Sequence, residues 1–218
     1  MNLKQATILA AAATLGCAPA HAEQRKRPNI LVFLVDDMGW QDTSVAFWDR
    51  RTRYNDMYET PNMERLASEG MMFTQAYACP ISSPTRCSLM TGMNMARHRV
   101  TNWTLERDKT TDHESDVVTL PDWNYNGIAQ VDALNNTAVA KSFVQILKDS
   151  GYHTIHCGKA HWGSIGTPGA DPGHFGFDVN IAGHAAGGLA TYYSERNYGH
   201  DAEGKATSPM AVPGLEKY

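Results

Sequence analysis

The chain has 218 residues, 42% hydrophobic and 19% charged, with a formal net charge of -4. That balance is globular rather than disordered, and without a basic footprint it excludes a nucleic-acid-binding role. The length accommodates one large domain or two small ones.

The first residues read as a targeting segment. Lys4 supplies a positive start, residues 8–15 are apolar and Ala-rich, and Ala20-His21-Ala22 is an A-x-A cleavage site. Residues 1–22 are therefore expected to be a signal peptide. Glu23 would open the mature chain, 23–218, in the periplasm or outside the cell. The apolar run is too short to cross a bilayer, so no membrane span is expected. A buried N-terminal helix is the alternative. Leu15-Gly16-Cys17 also resembles a lipoprotein box, with Thr14 where Leu is usual, which leaves lipid anchoring through Cys17 as a further option. Cys79, Cys87 and Cys157 would remain after cleavage. An odd number argues against a disulfide framework and leaves either one bridge and one free thiol or three buried thiols.

Pro28-Asn29 leads into Ile30-Leu31-Val32-Phe33-Leu34-Val35. Six consecutive apolar residues predict a strand buried on both faces, the habit of a central parallel sheet. It ends in Asp36-Asp37-Met38-Gly39. Thr60-Pro61-Asn62 opens a helix with Met63, Leu66 and Ala67 on one face and Gly70 at its end. A second apolar segment, expected to be the next strand, runs from Met71-Met72-Phe73 through Tyr77 to Cys79-Pro80. The next helix takes Ser82 or Ser83 as its N-cap, has Pro84 in its first turn and runs towards Gly92.

Residues 101–136 are polar with interspersed aromatics and no period, as in a long, substrate-facing loop. Thr137 is expected to cap a helix carrying Val139, Phe143, Ile146 and Leu147 and closed by Gly151. His153-Thr154-Ile155-His156-Cys157 predicts a short strand leading to Gly158-Lys159. Beyond Gly163 the chain is rich in Gly, Pro and His. This order predicts an α/β fold with a mostly parallel central sheet flanked by helices. Ligands of such sheets bind outside the carboxyl ends of the strands, where Asp36-Asp37 and Lys159 fall.

Ser82-Ser83-Pro84-Thr85-Arg86-Cys87-Ser88-Leu89-Met90-Thr91-Gly92 resembles the sulfatase signature. That signature is Cys or Ser, any residue, Pro, a small hydroxyl residue, Arg, two of any kind, Leu, any residue, then Thr-Gly. Thr85 stands where Ser is commoner. Cys79 is followed two places later by Ile81 and Cys87 by Leu89, so neither has the required Pro; only Ser82 has Pro84 and Arg86 correctly spaced. The resemblance implies that Ser82 is oxidised to formylglycine (3-oxoalanine) by a serine-oxidising maturation enzyme. A sulfated serine would be hard to hydrolyse. The hydrated aldehyde keeps a second hydroxyl, through which sulfate is expelled by internal elimination. A helix N-terminus also favours a bound sulfate. Arg86, one turn inside the helix, would neutralise the developing charge.

The segment from Pro28 to Gly39 resembles the sulfatase start. It implies a Ca2+ ion, with Mg2+ as the weaker choice, held by Asp36, Asp37 and the modified Ser82. The cation would act as a Lewis acid on the nucleophile and a sulfate oxygen. Gly151-Tyr152-His153-Thr154 and Gly158-Lys159-Ala160-His161-Trp162-Gly163 resemble the family's Gly-Tyr-x-Thr … Gly-Lys-x-His-x-Gly block, with Ala160 and Trp162 where Trp and Leu are common. Lys159 and His161 match positions that contact sulfate and the leaving oxygen. Residues two apart on an extended strand share a face, so both would enter one pocket. His153 and His156 match no ligand position and read as structural. Arg97-His98 and Asn102-Trp103 sit where pocket residues often lie, with His98 equally readable as structural.

The resemblance covers residues 28–183, including the helix from Thr60 and the block His174-Phe175-Gly176-Phe177-Asp178. The implied fold is the one shared by sulfatases and alkaline phosphatases, incomplete in this chain. The family's second metal-ligand pair, a further histidine and a second lysine have no match here. The chain is thus expected to be a truncated N-terminal part of the catalytic domain. The implied substrate is a sulfated small molecule, aryl sulfate or glycan. The alternatives are a phosphoesterase-like relative with unmodified serine and an inactive remnant.

Overall fold

The computed structural model describes residues 27–120, 123–131 and 134–217. The expected signal peptide and Cys17 lie outside them. The chain divides into two units, Met1–Met38 and Gly39–Tyr218.

In the first unit, residues 30–35 form no strand. Their apolar side chains face solvent, and Leu31 is 89% exposed. The expected doubly buried strand is therefore not formed. The reason is that a strand exists only through a neighbour's N–H and C=O groups. The sheets of the described residues pair other segments. Asp36 and Asp37 form an exposed turn, with Asp37 in the left-handed region at φ 54°, a conformation that Asp tolerates better than most residues.

The second unit carries the regular structure. Helix α1 spans Pro61–Glu69, with Pro at its first position and Gly70 as its C-cap. It buries no residue. Residues 71–77 form no strand, and Met71, Phe73 and Tyr77 are exposed. This second expected strand also lacks a pairing partner among the described residues.

Helix α2, Ser82–Thr91, ends at Gly92, whose φ of 68° is the left-handed cap that glycine adopts without strain. Its N-cap is Ile81, and no side chain caps it. Neither Ser82 nor Ser83 takes the capping role expected of them, because both hydroxyls are engaged in tertiary contacts. Helix α3, Met95–His98, is capped by Asn94, whose side chain accepts from the Arg97 N–H at 2.9 Å.

Strands β1 (Ile128–Ala129) and β2 (Ala138–Val139) pair in parallel. The rest of 101–136 has little regular structure, as its polarity suggests. Thr137 is not a helix cap, because the residues after it are taken up by β2. Helix α4 starts later, at Phe143, and runs to Asp149. Its cap is Ser142, which accepts from Gln145 N–H at 2.9 Å and donates to Phe175 O at 2.6 Å. Strand β3 (Ile155–Cys157) pairs in parallel with β4 (Val179–Ile181), Ile155 opposite Val179. The α/β class and the parallel pairing match expectation, but among the described residues the sheet is two small two-stranded pieces.

One hydrophobic core joins these elements: Cys87 and Met90 of α2, Val100, Ile128 of β1, Val144 of α4, Trp162 and Phe175, with Phe143 and Phe177 at its margin. Trp162 stacks on Phe177 and meets Phe175 edge-on. The backbone of Gly127 approaches Trp162 so closely that a Cβ there would lie 2.0 Å from the Trp162 carbonyl. Only glycine permits this approach. It fixes the segment after β3 against β1. Among the described residues no helix is long and apolar enough to cross a membrane.

Candidate active site

Helix α2 presents Ser82 at its first position and buries Ser83, Pro84, Arg86, Cys87 and Met90. Strand β3 delivers the other half. Gly158, at φ 103°, turns the chain after β3 and hydrogen-bonds Ile181 O at 2.8 Å. Lys159 follows, beyond the carboxyl end of a parallel strand, as expected.

Lys159 Nζ donates to Ser82 Oγ at 2.9 Å, across 77 positions of sequence. Arg86 is buried, and its Nη1 donates to the Lys159 backbone carbonyl at 2.7 Å. The motif arginine thus ties the lysine-bearing turn to the serine-bearing helix. One cation, Lys159, and a helix N-terminus meet at the Ser82 hydroxyl, an arrangement that attracts anions.

His161 sits differently from expectation. Its φ is 59°, so the run from Lys159 is not extended and the two side chains do not share a face by alternation. Its ring is buried, and Nε2 meets Thr104 O at 2.9 Å. A carbonyl can only accept, so Nε2 carries the hydrogen. Its backbone N–H donates to His184 O at 3.0 Å. Thr104 in turn donates its N–H to Ser83 Oγ at 3.2 Å. His161 is therefore linked to the residue beside Ser82 through Thr104.

Ser83 and Thr104 are the supporting residues that sequence reasoning missed. Ser83 occupies a variable position of the signature, and Thr104 lies in a stretch without period. Ser83 signalled only a helix cap, and Thr104 carried no signal.

His98 is structural. It is fully buried, its Nδ1 accepts from Val100 N–H at 3.0 Å, and so Nε2 donates to Ser88 Oγ at 2.9 Å. Burial pushes its pKa down. His156 packs against Trp162 and Phe177, and burial, aided by the Arg86 charge, lowers its pKa too. His153 pairs with Asp178 at 3.2 Å. Asp178 also accepts from Lys148 at 2.8 Å and from Thr154 N–H at 2.9 Å, and these contacts, Lys148 first, hold its carboxyl well below the usual range.

Cys79, Cys87 and Cys157 are all free, with only Cys87 buried. Burial raises the Cys87 thiol far above its ordinary pKa, which makes it inert.

Asp36 and Asp37 lie in the first unit and are exposed. Adjacent carboxylates are the hard oxygen donors a divalent cation takes, so their chemistry fits Ca2+. Two carboxylates alone do not complete a Ca2+ shell, which takes about six to eight oxygens. Among the described residues no group of three or more His, Cys, Asp or Glu gathers as a metal site.

Residues 28–211 match the sulfatase family model. The chain is 32% identical over 182 residues to an arylsulfatase of Klebsiella aerogenes, covering 84% of this chain and 33% of that protein. It is 30% identical over 178 residues to a sulfatase of Formosa agariphila, covering 78% and 29%. It is 33% identical over 152 residues to the human N-acetylgalactosamine-6-sulfatase, covering 69% and 24%. The chain spans about a third or less of the length of these relatives. With the family match running from Pro28 through the Ser82 helix and the Lys159 turn, the chain belongs to the sulfatase family.

Proposed function

We propose that this chain is the nucleophile-bearing part of a sulfuric ester hydrolase, in which a sulfate ester and water give an alcohol and hydrogen sulfate. The observation that carries the reading is the 2.9 Å contact between Lys159 Nζ and Ser82 Oγ. A lysine ammonium at that distance stabilises negative charge on the nucleophile oxygen and on a sulfate brought to it. Arg86 keeps Lys159 in place through its carbonyl and adds a second positive charge to the site. His161 is held by Thr104 in a single tautomer, which suits a proton-transfer role towards the leaving oxygen.

Ser82, half-buried and first in its helix, is the proposed site of conversion to formylglycine by a serine-oxidising maturation enzyme. Asp36 and Asp37, with the modified Ser82, are the proposed ligands of a Ca2+, or less favourably Mg2+, which when bound supplies Lewis-acid polarisation. The relatives' names include arylsulfatase and N-acetylgalactosamine-6-sulfatase. The proposed substrate is accordingly a sulfated glycan or an aryl sulfate. The segment 1–22 remains the proposed export signal, placing the product in the periplasm or outside the cell.

Intact and peptide mass measurement of the chain, co-expressed with a serine-type maturation enzyme, tests the reading. Conversion lowers the mass of the Ser82 peptide by about two hydrogens, the change required for the covalent chemistry. Sulfate release that depends on Ser82 completes the test. An unchanged serine with phosphate-ester turnover would instead identify a phosphoesterase-like relative.

A further inference from the structure

The segment after β4, residues 182–188, reads Ala-Gly-His-Ala-Ala-Gly-Gly and offers no motif in the sequence. In the structure it lies against His161. Its start is tied to β4: Asn180 accepts the Gly183 N–H and donates its side-chain amide to Gly183 O, each at 2.9 Å. The next carbonyl, His184 O, accepts the backbone N–H of His161 at 3.0 Å. Ala185 and Ala186 are buried. Further on, the Ala190 N–H donates to Met210 O at 3.1 Å. Backbone tied and buried in this way resists displacement.

Gly187 meets the imidazole itself. A Cβ on it would stand 2.8 Å from His161 Cε1, 3.2 Å from Nδ1 and 3.3 Å from Nε2. Gly188, the next residue, is different: a Cβ there would meet Tyr192 Oη at 3.6 Å and Met210 Cε at 3.9 Å, which are ordinary contacts. Neither glycine has a positive φ. The requirement at Gly187 is therefore one of space and not of backbone conformation.

The other side of the ring is committed as well. Nε2–H donates to Thr104 O at 2.9 Å, and His161 is 3% exposed. A methyl group at 187 could enter only by pushing the imidazole aside, and a hydrogen bond weakens steeply once its angle is lost. We propose that Gly187 is a positioning residue for His161: the space left by its missing side chain holds the imidazole with Nε2–H on the Thr104 carbonyl. This deepens the sulfatase reading and rests on it for what His161 does at the leaving oxygen; the placement of the ring does not depend on it.

The two glycines form a matched test on the full chain with 15N-labelled histidine, the His161 signals being assigned by their loss in His161→Gln. The native and Gly188→Ala chains should show His161 as the Nε2–H tautomer. In Gly187→Ala that pattern should be lost, with exchange of the Nε2 hydrogen faster by about tenfold or more. An unchanged His161 pattern in Gly187→Ala, or an equal change in Gly188→Ala, overturns the proposal. If Gly187→Ala fails to fold, the double variant with His161→Ala decides, since removing the ring removes the clash. Recovery of the fold supports the proposal, and a double variant that stays unfolded overturns it. In chains converted at Ser82, Gly187→Ala should lower kcat for 4-nitrophenyl sulfate by about tenfold or more, and Gly188→Ala should not. Sulfate release that is undiminished in Gly187→Ala overturns the proposal and leaves the sulfatase reading standing. The tautomer contrast in converted chains that release no sulfate does the reverse.

Discussion

Helices α1 and α2 belong to the same unit and have nearly the same length, nine and ten residues. Their sequences promise opposite outcomes. Met63, Leu66 and Ala67 give α1 a clear apolar face, whereas α2 is crowded with Ser, Thr and Pro. Yet α1 buries nothing and Leu66 is 71% exposed, while α2 buries half of its residues. Amphipathic pattern states what a helix needs in order to be covered; it does not supply the cover. Helix α2 is covered because α3, α4 and the Lys159–Trp162 segment close on it, and its polar side chains find partners there and in Thr104.

The largest effect that can separate the two helices is a matched pair of truncations. Met90 of α2 is 2% exposed. Met90→Ala should lower unfolding free energy by about 2–5 kcal/mol, through lost burial and the cavity left behind. Leu66→Ala on α1 should change it by no more than about 0.5 kcal/mol, as for an exposed site. Urea titrations of both variants measure the contrast. Equal losses would mean that α1 is covered in solution.

Next in size is the polar seam under the nucleophile. Ser83→Ala removes the acceptor of the buried Thr104 N–H and leaves that donor unsatisfied. The expected loss is about 1–3 kcal/mol in the same titration. Protection of the Thr104 amide from hydrogen exchange should fall in parallel. A Ser83→Ala chain with full protection would show that the seam does not hold α2.

The same contrast explains what was legible in the sequence. The signature from Ser82 to Gly92 located α2, its Gly92 stop and its register, since each of those depends on local chemistry. Lys159 was legible because its block has fixed spacing, and the structure brings it to Ser82. The segments 30–35 and 71–77 were read as strands on hydrophobicity, but a strand needs a partner and sequence pattern does not provide one. Thr137 was read as the cap of one helix, but pairing of Ala138 with Ile128 takes the residues after it into a strand, and Ser142 caps the helix instead. Thr104 was invisible because its role comes from its backbone atoms, which every residue possesses.

Acid should weaken the α2 region before α1. His98, His156 and His184 are each pushed below the ordinary value of 6.5 by burial. The unfolded chain therefore takes up protons near pH 6.5 that the folded chain resists. Their contribution is complete above that pH and declines as pH falls below it. The lowered Asp178 carboxyl acts in the same direction at lower pH, once the unfolded-state value of 3.8 is passed. Urea midpoints between pH 8 and pH 5 should fall steadily below about pH 6.5. His98→Asn should reduce that slope, since the most deeply buried of the three rings is removed.

The smallest effect concerns what α1 retains on its own. Arg65 and Glu69 are four residues apart, 4.0 Å between charged atoms, and both largely exposed. Such a pair gives an isolated helix about 0.3–0.5 kcal/mol, and salt screens it. Arg65→Gln should therefore lower α1 helicity slightly, leave the global urea midpoint unchanged and show no further loss in 1 M salt, where the Debye length is about 3 Å. Amide exchange across residues 61–69, compared with residues 82–91, reads this directly. If α1 opens locally, its amides exchange far faster than those of α2 and respond to Arg65→Gln. A helix covered by neighbours would instead exchange with α2 and ignore the substitution, because packing and not the local ion pair would then set its opening free energy.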